Sequence, residues 1–429
     1  MKKSRSATLP ILVALVLGIA VGYACHIAFP DKHTAATISD YITIVTDIFL
    51  RLIKMIIAPL VFTTLVVGIA HMGDIKTVGR VGAKAMLWFV TASFASLLLG
   101  LILVNVLQPG HNIGMPLPDV DASTTLKTAS FTVKGFISHL VPASVVEAMA
   151  ENEILQIVVF SIFFGVALAS LGEYGKGLIT TIDQVAHVML KITGGVMFMA
   201  PLAVFAAVAA VVTTQGLGIL VTFAKFMGGF YLALIVLWAG LALAGFFFLG
   251  SRVGHLISLV REPFLLAFST ASSEAAYPKM LEALDKFGVS RKISSFVLPL
   301  GYSFNLDGSM MYCTFASLFI AQAYDIKLAL GTQLAMLLML MLTSKGMAGV
   351  PRASLVVIAA TLNQFSIPDA GLLLIMGIDT FLDMGRSATN AVGNSIASAV
   401  VAKWEGQLSS AQSEKEPGPT QAALPETAA

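Results

Sequence analysis

Residues 370–401 read AGLLLIMGIDTFLDMGRSATNAVGNSIASAVV, a segment apolar enough to cross a membrane that nevertheless carries three ionisable side chains. At 100° per residue its polar positions fall within roughly 80° of one another, so they form one stripe on a predicted helix. Each ionisable residue at the bilayer centre costs on the order of 2.5 to 3.5 kcal/mol on insertion scales. We interpret the stripe as part of a path for a solute. Its members are Asp379, Asp383, Arg386, Asn390 and Asn394.

The composition predicts an all-α polytopic membrane protein. Of 429 residues, 57% are hydrophobic and only 12% are charged, and apolar runs of span length recur along the chain. The run at 9–28 follows a basic start like a secretory signal, but it lacks a convincing cleavage site, so we interpret it as a retained first span. Cys25 and Cys313 lie in apolar segments and predict neither a disulfide framework nor a metal site.

The hydropathy pattern predicts eight transmembrane spans and two re-entrant hairpins. Residues 256–285 and 328–370 are too interrupted by Ser, Gly and Pro to be simple spans, and irregular backbone at membrane depth is tolerated where it lines a cavity. Each is followed by a span with polar residues, a placement typical of inverted repeats with a binding site between the halves. Six ordinary spans come first, at 9–28, 42–70, 83–107, 154–171, 185–212 and 217–249.

Loop charges predict that both termini are cytoplasmic, because basic residues accumulate on the cytoplasmic side of membrane proteins. The polar segment after Trp404 is rich in Glu, Pro, Ser and Ala, which predicts disorder for 406–429. The basic residues that fall on one side in this span count are Lys2, Lys3, Arg5, Lys76, Arg80, Lys84, Lys176, Arg252, Arg261, Lys286, Arg291, Lys292 and Lys403.

The segment 301–309, GYSFNLDGS, predicts an unwound turn within a span. Such breaks free backbone carbonyls for cations, and half-helix N-termini favour anions. The alternative is a polar contact between helices. A binding role is favoured because Asp307 would otherwise be a lone buried carboxylate.

Arg386 can hold a carboxylate with two hydrogen bonds, and Asp383, one turn earlier, can receive an ammonium group. Together they would bind both ends of an acidic amino acid. The alternative is a structural ion pair between the two. Glu274, beside Ser272 and Ser273 in the first hairpin tip, is a candidate proton carrier or else a solvated loop residue.

Two other classes of protein compete with a transporter. An intramembrane enzyme could use Asp379 and Asp383 as an acid/base pair, but the adjacent Arg386 favours charge balance. A channel could also be lined by polar stripes. No phosphate loop, dinucleotide fingerprint or nucleophile elbow stands out, so we expect no enzyme activity, no cofactor and no nucleic-acid partner.

Four motifs together resemble the dicarboxylate/amino acid:cation symporters, the glutamate transporter family, over about residues 9–405. In the family's order they are 267–278 AFSTASSEAAYP, 305–308 NLDG, 344–351 SKGMAGVP and the stripe from Asp379 to Asn394. Within the family, the motifs resemble those of the bacterial proton/sodium glutamate-aspartate symporters. This likeness and the basic N-terminus predict a protein of a bacterial inner membrane.

The resemblance implies a homotrimer in which each protomer carries substrate by an elevator motion of a transport domain against a scaffold. The scaffold would comprise spans 1 and 2 in 1–80, and the loop with spans 4 and 5 in 108–214. The transport domain would comprise span 3 in 81–107 and, in 215–405, span 6, hairpin 1, span 7, hairpin 2 and span 8.

The resemblance also implies substrate-binding roles. Arg386 would bind the side-chain carboxylate, Asp383 the amino group, and Asn390 with the Ser272 and Ser273 backbone the α-carboxylate. Gly349 and Val350 would belong to the gate.

The acidic residue at 383 favours glutamate or aspartate, because C4-dicarboxylate members of the family tend to lack one there. The Ser-Ser-Glu tip is shared with dicarboxylate carriers, however, and Arg352 adds a cation near the gate. Succinate, fumarate or malate is therefore the alternative substrate class.

Coupling is where the chain departs from the family's sodium-driven pattern. Asn394 replaces an aspartate, and Phe89, Ala92 and Met347 replace residues with ligand oxygens. Fewer hard oxygen ligands suit fewer sodium ions, and Glu274 and other carboxylates offer a proton route, so we expect coupling to H⁺ with or without Na⁺. Sodium would be held by Gly301, Asn305, Asn390 and Asp307, and the full set implied for cations or protons is Ser93, Gly301, Asn305, Asp307, Asp379, Asn394 and Glu274.

Overall fold

Helices form almost all of the backbone in the computed structural model, which describes residues 8–72, 75–111, 117, 141–217, 223–344, 353–376 and 378–409. Sixteen α-helices lie in these ranges. In chain order they are α1 Thr8–Ala28, α2 Lys32–Met72, α3 Ile75–Leu107, α4 Val145–Ala150, α5 Ile154–Ser170, α6 Lys176–Met197, α7 Ala200–Gln215, α8 Ala224–Leu249, α9 Arg252–Thr270, α10 Tyr277–Phe287, α11 Arg291–Phe304, α12 Asp307–Ala323, α13 Leu330–Thr343, α14 Ala353–Gln364, α15 Leu372–Met376 and α16 Asp379–Trp404.

The predicted all-α membrane fold is confirmed. By length and apolar composition, four helical segments of the described chain can cross a membrane: Leu9–Ala28, Lys32–Ala70, Lys76–Leu107 and Ala224–Leu249. The pair Gly172–Met197 and Ala200–Gln215, bent by 51°, can supply a fifth. The remaining predicted spans are shorter, broken or charged, so the total of eight stays a prediction.

The first group of helices packs α1, α2, α5, α6 and α7 together. A Cβ built at Gly22 would lie 2.6 Å from the Ala209 carbonyl oxygen, so glycine is required where α1 crosses α7. Ser39 of α2 donates to the Ala210 carbonyl at 3.1 Å. Small residues and inter-helix hydrogen bonds of this kind hold helices together where lipid removes the hydrophobic driving force.

Helix α2 continues for 41 residues through Pro59. A proline removes one backbone donor and crowds the preceding turn. The hydroxyl of Thr63 donates to the Pro59 carbonyl at 2.7 Å, and that of Thr64 donates to the Leu60 carbonyl at 2.7 Å. These hydroxyls are additional donors in the turn after the proline, since the carbonyl that loses its helical donor is that of Met55, and the helix remains continuous.

The second group surrounds α16, which packs against α8, α9, α11 and α12. The predicted first hairpin is formed by α9 and α10 around a tip at Ala271, whose φ of 50° is left-handed. Lys279 of α10 bonds Glu262 of α9 at 2.9 Å and ties the two arms together. Helices α13 and α14 are the arms of the predicted second hairpin, but its tip at 345–352 lies outside the described residues.

Residues 406–409 correct the prediction of a disordered tail that begins at 406. Ser290 donates its backbone N–H to the Gln407 carbonyl at 3.0 Å, and Ser409 donates to the Gly288 carbonyl at 2.9 Å. Arg252 also donates to the Ser409 carbonyl at 2.9 Å. These contacts order the segment against the end of the first hairpin, and residues 410–429 lie outside the described chain.

Candidate functional site

The site is built on the break between α11 and α12. Asn305 and Leu306 leave helical geometry, with φ/ψ of −120°/65° and −100°/59°. The next helix begins at Asp307, which is completely buried. The break predicted from NLDG is therefore present, and it places a carboxylate at the N-terminus of α12, where the helix dipole favours negative charge.

A buried cluster of two amides and one carboxylate forms at this break. The Asn305 amide donates to Asp307 Oδ2 at 3.2 Å and to Asn394 Oδ1 at 3.0 Å. Two glycines allow the approach: a Cβ at Gly393 would collide with Asp307, and one at Gly301 with Asn394. The predicted cation residues Gly301, Asn305, Asp307 and Asn394 are therefore brought together.

Asn390 lies beside this cluster and caps the start of α12. Its Oδ1 accepts the backbone N–H of Gly308 at 2.9 Å, and its amide nitrogen donates to the Ser309 hydroxyl at 3.2 Å. Ser309 is a contact that sequence reasoning missed. A substrate carboxylate at Asn390 would have to share or replace the Ser309 bond.

Arg386 and Asp383 form the second half of the site. Arg386 Nη2 lies 2.6 Å from Asp383 Oδ1, Nε donates to the same oxygen at 3.0 Å, and Ser387 donates to it at 3.0 Å. The Arg386 side chain is only 9% exposed, and its Nη1 atom is buried without a hydrogen-bond partner. The Nε and Nη2 edge of the guanidinium is therefore bound to Asp383, while Nη1 keeps its two N–H donors available.

Tyr312 joins this pair to Asp379, and no motif in the sequence indicates this contact. The guanidinium carbon of Arg386 lies 5.4 Å from the centre of the Tyr312 ring, and the Tyr312 hydroxyl donates to Asp379 Oδ1 at 2.8 Å. Arg386 thus lies over the face of the same ring whose hydroxyl contacts Asp379. A tyrosine in an apolar helix usually indicates core packing, so its contacts with Asp379 and Arg386 are not predictable from the helix alone.

The first hairpin tip contributes less directly. The Ser272 hydroxyl accepts the backbone N–H of Ala275 at 3.2 Å, and the Ser273 carbonyl accepts the Tyr302 hydroxyl at 3.1 Å. Hydrogen bonds of these two serines run within the hairpin and to Tyr302, not to Arg386. Glu274 follows in a short 3₁₀ turn, within electrostatic reach of Lys54 of α2.

The remaining predicted residues differ in position. Ser93 donates to the Phe304 carbonyl at 3.3 Å and so reaches the helix break from α3. Phe89 of the same helix is fully buried and brings no oxygen. Gly349, Val350, Met347 and Arg352 lie outside the described residues.

The cluster at the break suits a small hard cation better than a transition metal. Asn305 Oδ1 is buried without a hydrogen-bond partner, and carboxylate and amide oxygens are ligands of hard cations. Within the described ranges, no group of three or more His, Cys, Asp or Glu residues could hold a metal ion.

Comparison with known proteins gives a consistent family. The family model described as the sodium:dicarboxylate symporter family matches residues 8–404. A C4-dicarboxylate transport protein 1 of Mesorhizobium japonicum is 41% identical over 94% of this chain and 83% of its own length.

Two further relatives carry different names at similar identity. A C4-dicarboxylate transport protein of Laribacter hongkongensis is 40% identical over 95% of this chain and 92% of its own length. A proton/sodium-glutamate symport protein of Geobacillus stearothermophilus is 39% identical over 92% of this chain and 94% of its own length.

Proposed function

The chain belongs to the sodium:dicarboxylate symporter family, and from this premise we propose that it imports a small substrate with two carboxylates, driven by cations. The observation that carries the proposal is the buried Arg386, whose Nη1 atom has no hydrogen-bond partner. A buried guanidinium with an unused donor is suited to a carboxylate, which can accept two parallel hydrogen bonds.

A C4-dicarboxylate is the first candidate substrate, because two of the three relatives described above are named for it. In this case a substrate carboxylate binds the Arg386 guanidinium, and the ion pair between Asp383 and Arg386 is weakened. Two like charges side by side are costly, so a cation or proton beside Asp383 has to accompany the dianion. Coupling to cations would then be part of binding itself.

An acidic amino acid is the second candidate, and Asp383 favours it. When the substrate carboxylate displaces Asp383 from Arg386, the substrate ammonium can take the place of the guanidinium. Every buried charge then keeps an opposite partner. The relative named as a proton/sodium-glutamate symport protein is consistent with this candidate.

Cations are proposed to bind where the amide and carboxylate oxygens converge. Sodium would take the oxygens of Asn305, Asp307 and Asn390 with the Gly301 carbonyl. Protons would use the carboxylates Asp379 and Glu274. With Phe89 and Asn394 in place of oxygen-rich ligands, H⁺ is the main coupling ion in this proposal and sodium the secondary one.

The proposed assembly is a homotrimer in the bacterial inner membrane with both termini cytoplasmic. Each protomer would move substrate as an elevator, with the α16 group sliding against the α1, α2, α5, α6 and α7 group. Native mass spectrometry of the detergent-purified protein tests the assembly. A mass of one or two chains as the dominant species would rule out the trimer.

Uptake into proteoliposomes tests the function. Radiolabelled succinate and L-aspartate are offered separately, with a proton gradient, a sodium gradient or neither. Saturable uptake of one substrate under an imposed gradient, inhibited by the other in proportion to its affinity, is expected. Uptake indifferent to both gradients, or unsaturable currents, would overturn symport.

A further inference from the structure

An apolar groove of about 510 Å³ lies between α1 and three helices of the α16 group. Leu12 forms its α1 wall, Trp238 and Ala242 its α8 wall, and Phe264 and Val392 its floor on α9 and α16. Its volume is within the range of small-ligand sites, and its lining is almost entirely apolar. Arg261 of α9 provides the charge at its rim.

Arg261 is an exposed residue at the rim of the groove. Its neighbour Glu262 is bonded to Lys279 at 2.9 Å. Among the described residues, no carboxylate forms an ion pair with Arg261. Because Arg261 is exposed and has no acidic partner among these residues, it can pair with an anion from outside the chain.

Arg261 lies further along α9 than Arg252, which marks the polar end of the molecule. It stands nine residues after Arg252, which is about 13.5 Å along the helix axis. Arg252 belongs to the polar end of the molecule, where it contacts Ser409. An arginine at this depth can extend its head toward the polar surface while its stem lies along apolar residues.

We propose that this groove binds one anionic phospholipid, with an acyl chain along Leu12, Trp238 and Phe264 and the phosphate on Arg261. Charge complementarity identifies the occupant, because a guanidinium pairs with phosphate through two parallel hydrogen bonds. A zwitterionic lipid offers the same chain but carries its own cation beside the phosphate. The lipid would be wedged between α1 and the helices that carry the substrate site.

Trp238 supplies a direct probe of the groove. The ring packs edge-to-face against Phe264, with centroids 5.4 Å apart, and Nε1 donates to Thr389 at 2.8 Å. The chain has three tryptophans, so a W88F/W404F variant leaves Trp238 as the single emitter. Bromine on an acyl chain quenches tryptophan only at close contact.

The test uses vesicles in which brominated phosphatidylglycerol or brominated phosphatidylcholine is present at the same mole fraction. From quenching of Trp238, the association constant of brominated phosphatidylglycerol is expected to be about five-fold higher than that of brominated phosphatidylcholine. This is the preference typical of one basic residue facing anionic lipid. R261Q should reduce the ratio to about one. K191Q, which removes an exposed cation of α6 outside the groove, should leave it unchanged. A242F should weaken quenching by both lipids, because it fills the groove.

Three results would overturn the proposal. They are equal quenching by the two lipids, a preference that survives R261Q, and the absence of quenching by either lipid. The last would mean that a second copy or another segment of the chain covers the groove. Since Trp88 and Trp404 pack against each other, the double variant could fail to fold. Native mass spectrometry with all tryptophans present, titrated with the same two lipids and comparing R261Q with K191Q, gives an independent decision.

Discussion

Asp383 is the residue that distinguishes the two candidate substrates, an acidic amino acid and a C4-dicarboxylate. If its carboxylate receives a substrate ammonium, Asp383→Asn should lower the apparent affinity for aspartate by about 10- to 100-fold, the usual loss for a hydrogen bond to a charged group. The affinity for succinate should stay the same or increase, because a repelling carboxylate is removed. Competition of radiolabelled uptake by unlabelled substrates measures both.

Ser387→Ala is the matched control for Asp383→Asn. It removes a neutral hydroxyl that donates to the same carboxylate oxygen at 3.0 Å, and it leaves every charge in place. Its effect should be a few-fold and equal for the two substrates. An equal loss of both substrates in Asp383→Asn would mean that the Asp383–Arg386 pair is purely structural.

Individual residues of the site were predictable where their cost in a membrane is high. Asp383, Arg386 and Asn394 stand out because charged and amide side chains recur on one face of an apolar helix. Tyr312 could not be found this way, because its hydroxyl is used through a contact 67 positions away in the chain. A pattern along one helix carries no information about such partners.

At the level of elements, Gly393 of α16 and Gly301 of α11 allow the break between α11 and α12 to pack closely against α16. Gly393→Ala should disrupt the buried cluster of Asn305, Asp307 and Asn394, because the added Cβ collides with the Asp307 carboxylate. We expect a fall in the midpoint of thermal unfolding and a loss of ion-dependent uptake. The unfolding midpoint is read by fluorescence-detected size exclusion.

Gly240→Ala in α8 is the matched control, since nothing lies within 4 Å of a Cβ built there. It should raise stability slightly, by up to about 1 kcal/mol, because alanine is the better helix former. If Gly393→Ala behaved like Gly240→Ala in stability and in ion dependence, the cluster would not control coupling.

The end of α16 gives a second element-level prediction, on pH. Glu405 accepts from Arg80 at 2.8 Å and pairs with Lys84 at 2.7 Å, and its side chain is only 3% exposed. The Arg80 hydrogen bond, together with the Lys84 contacts, outweighs the opposing effect of burial and holds the pKa of Glu405 below its usual value. A lowered folded-state pKa stabilises the protein above the unfolded pKa of about 4.3. That contribution is lost as pH falls through the folded pKa.

E405Q should therefore flatten the pH dependence of stability. On acidification from pH 7 to pH 3, the thermal midpoint of the wild type should fall further than that of E405Q, with most of the difference arising below the unfolded pKa of about 4.3. The control E173Q removes a carboxylate whose pair with Lys176 is exposed on both sides, and it should follow the wild type. Parallel curves for wild type and E405Q would contradict the assignment.

Elements were predictable to the extent that their signals are local. The first hairpin was expected at 256–285 and is formed by α9 and α10 between Arg252 and Phe287. The order of residues 406–409 was missed, because it depends on backbone bonds to Gly288 and Ser290, which are far away in sequence. The short helix α4 was also missed, although Ser144 accepts the Glu147 N–H at 3.4 Å as an N-cap.

On the scale of the whole molecule, the contact between Gly68 of α2 and Ser295 of α11 can test the proposed elevator motion. A Cβ built at Gly68 of α2 lies 2.9 Å from the Ser295 hydroxyl oxygen of α11, so cysteines at both positions can form a disulfide across the proposed moving boundary. In a background without Cys25 and Cys313, oxidation of G68C/S295C should abolish uptake. Reduction should restore it, because the α16 group is then free to slide against α2.

The adjacent position on α2 provides the control. A Cβ built at Gly165 of α5 lies 3.0 Å from the Cβ of Ile69, and both helices belong to the group proposed to be static. Oxidation of I69C/G165C should therefore leave uptake unchanged, although it crosslinks α2 just as tightly. Full uptake through oxidised G68C/S295C would exclude sliding at this boundary. The alternating step would then have to come from local opening of the hairpins, because the two groups would remain fixed while substrate crosses.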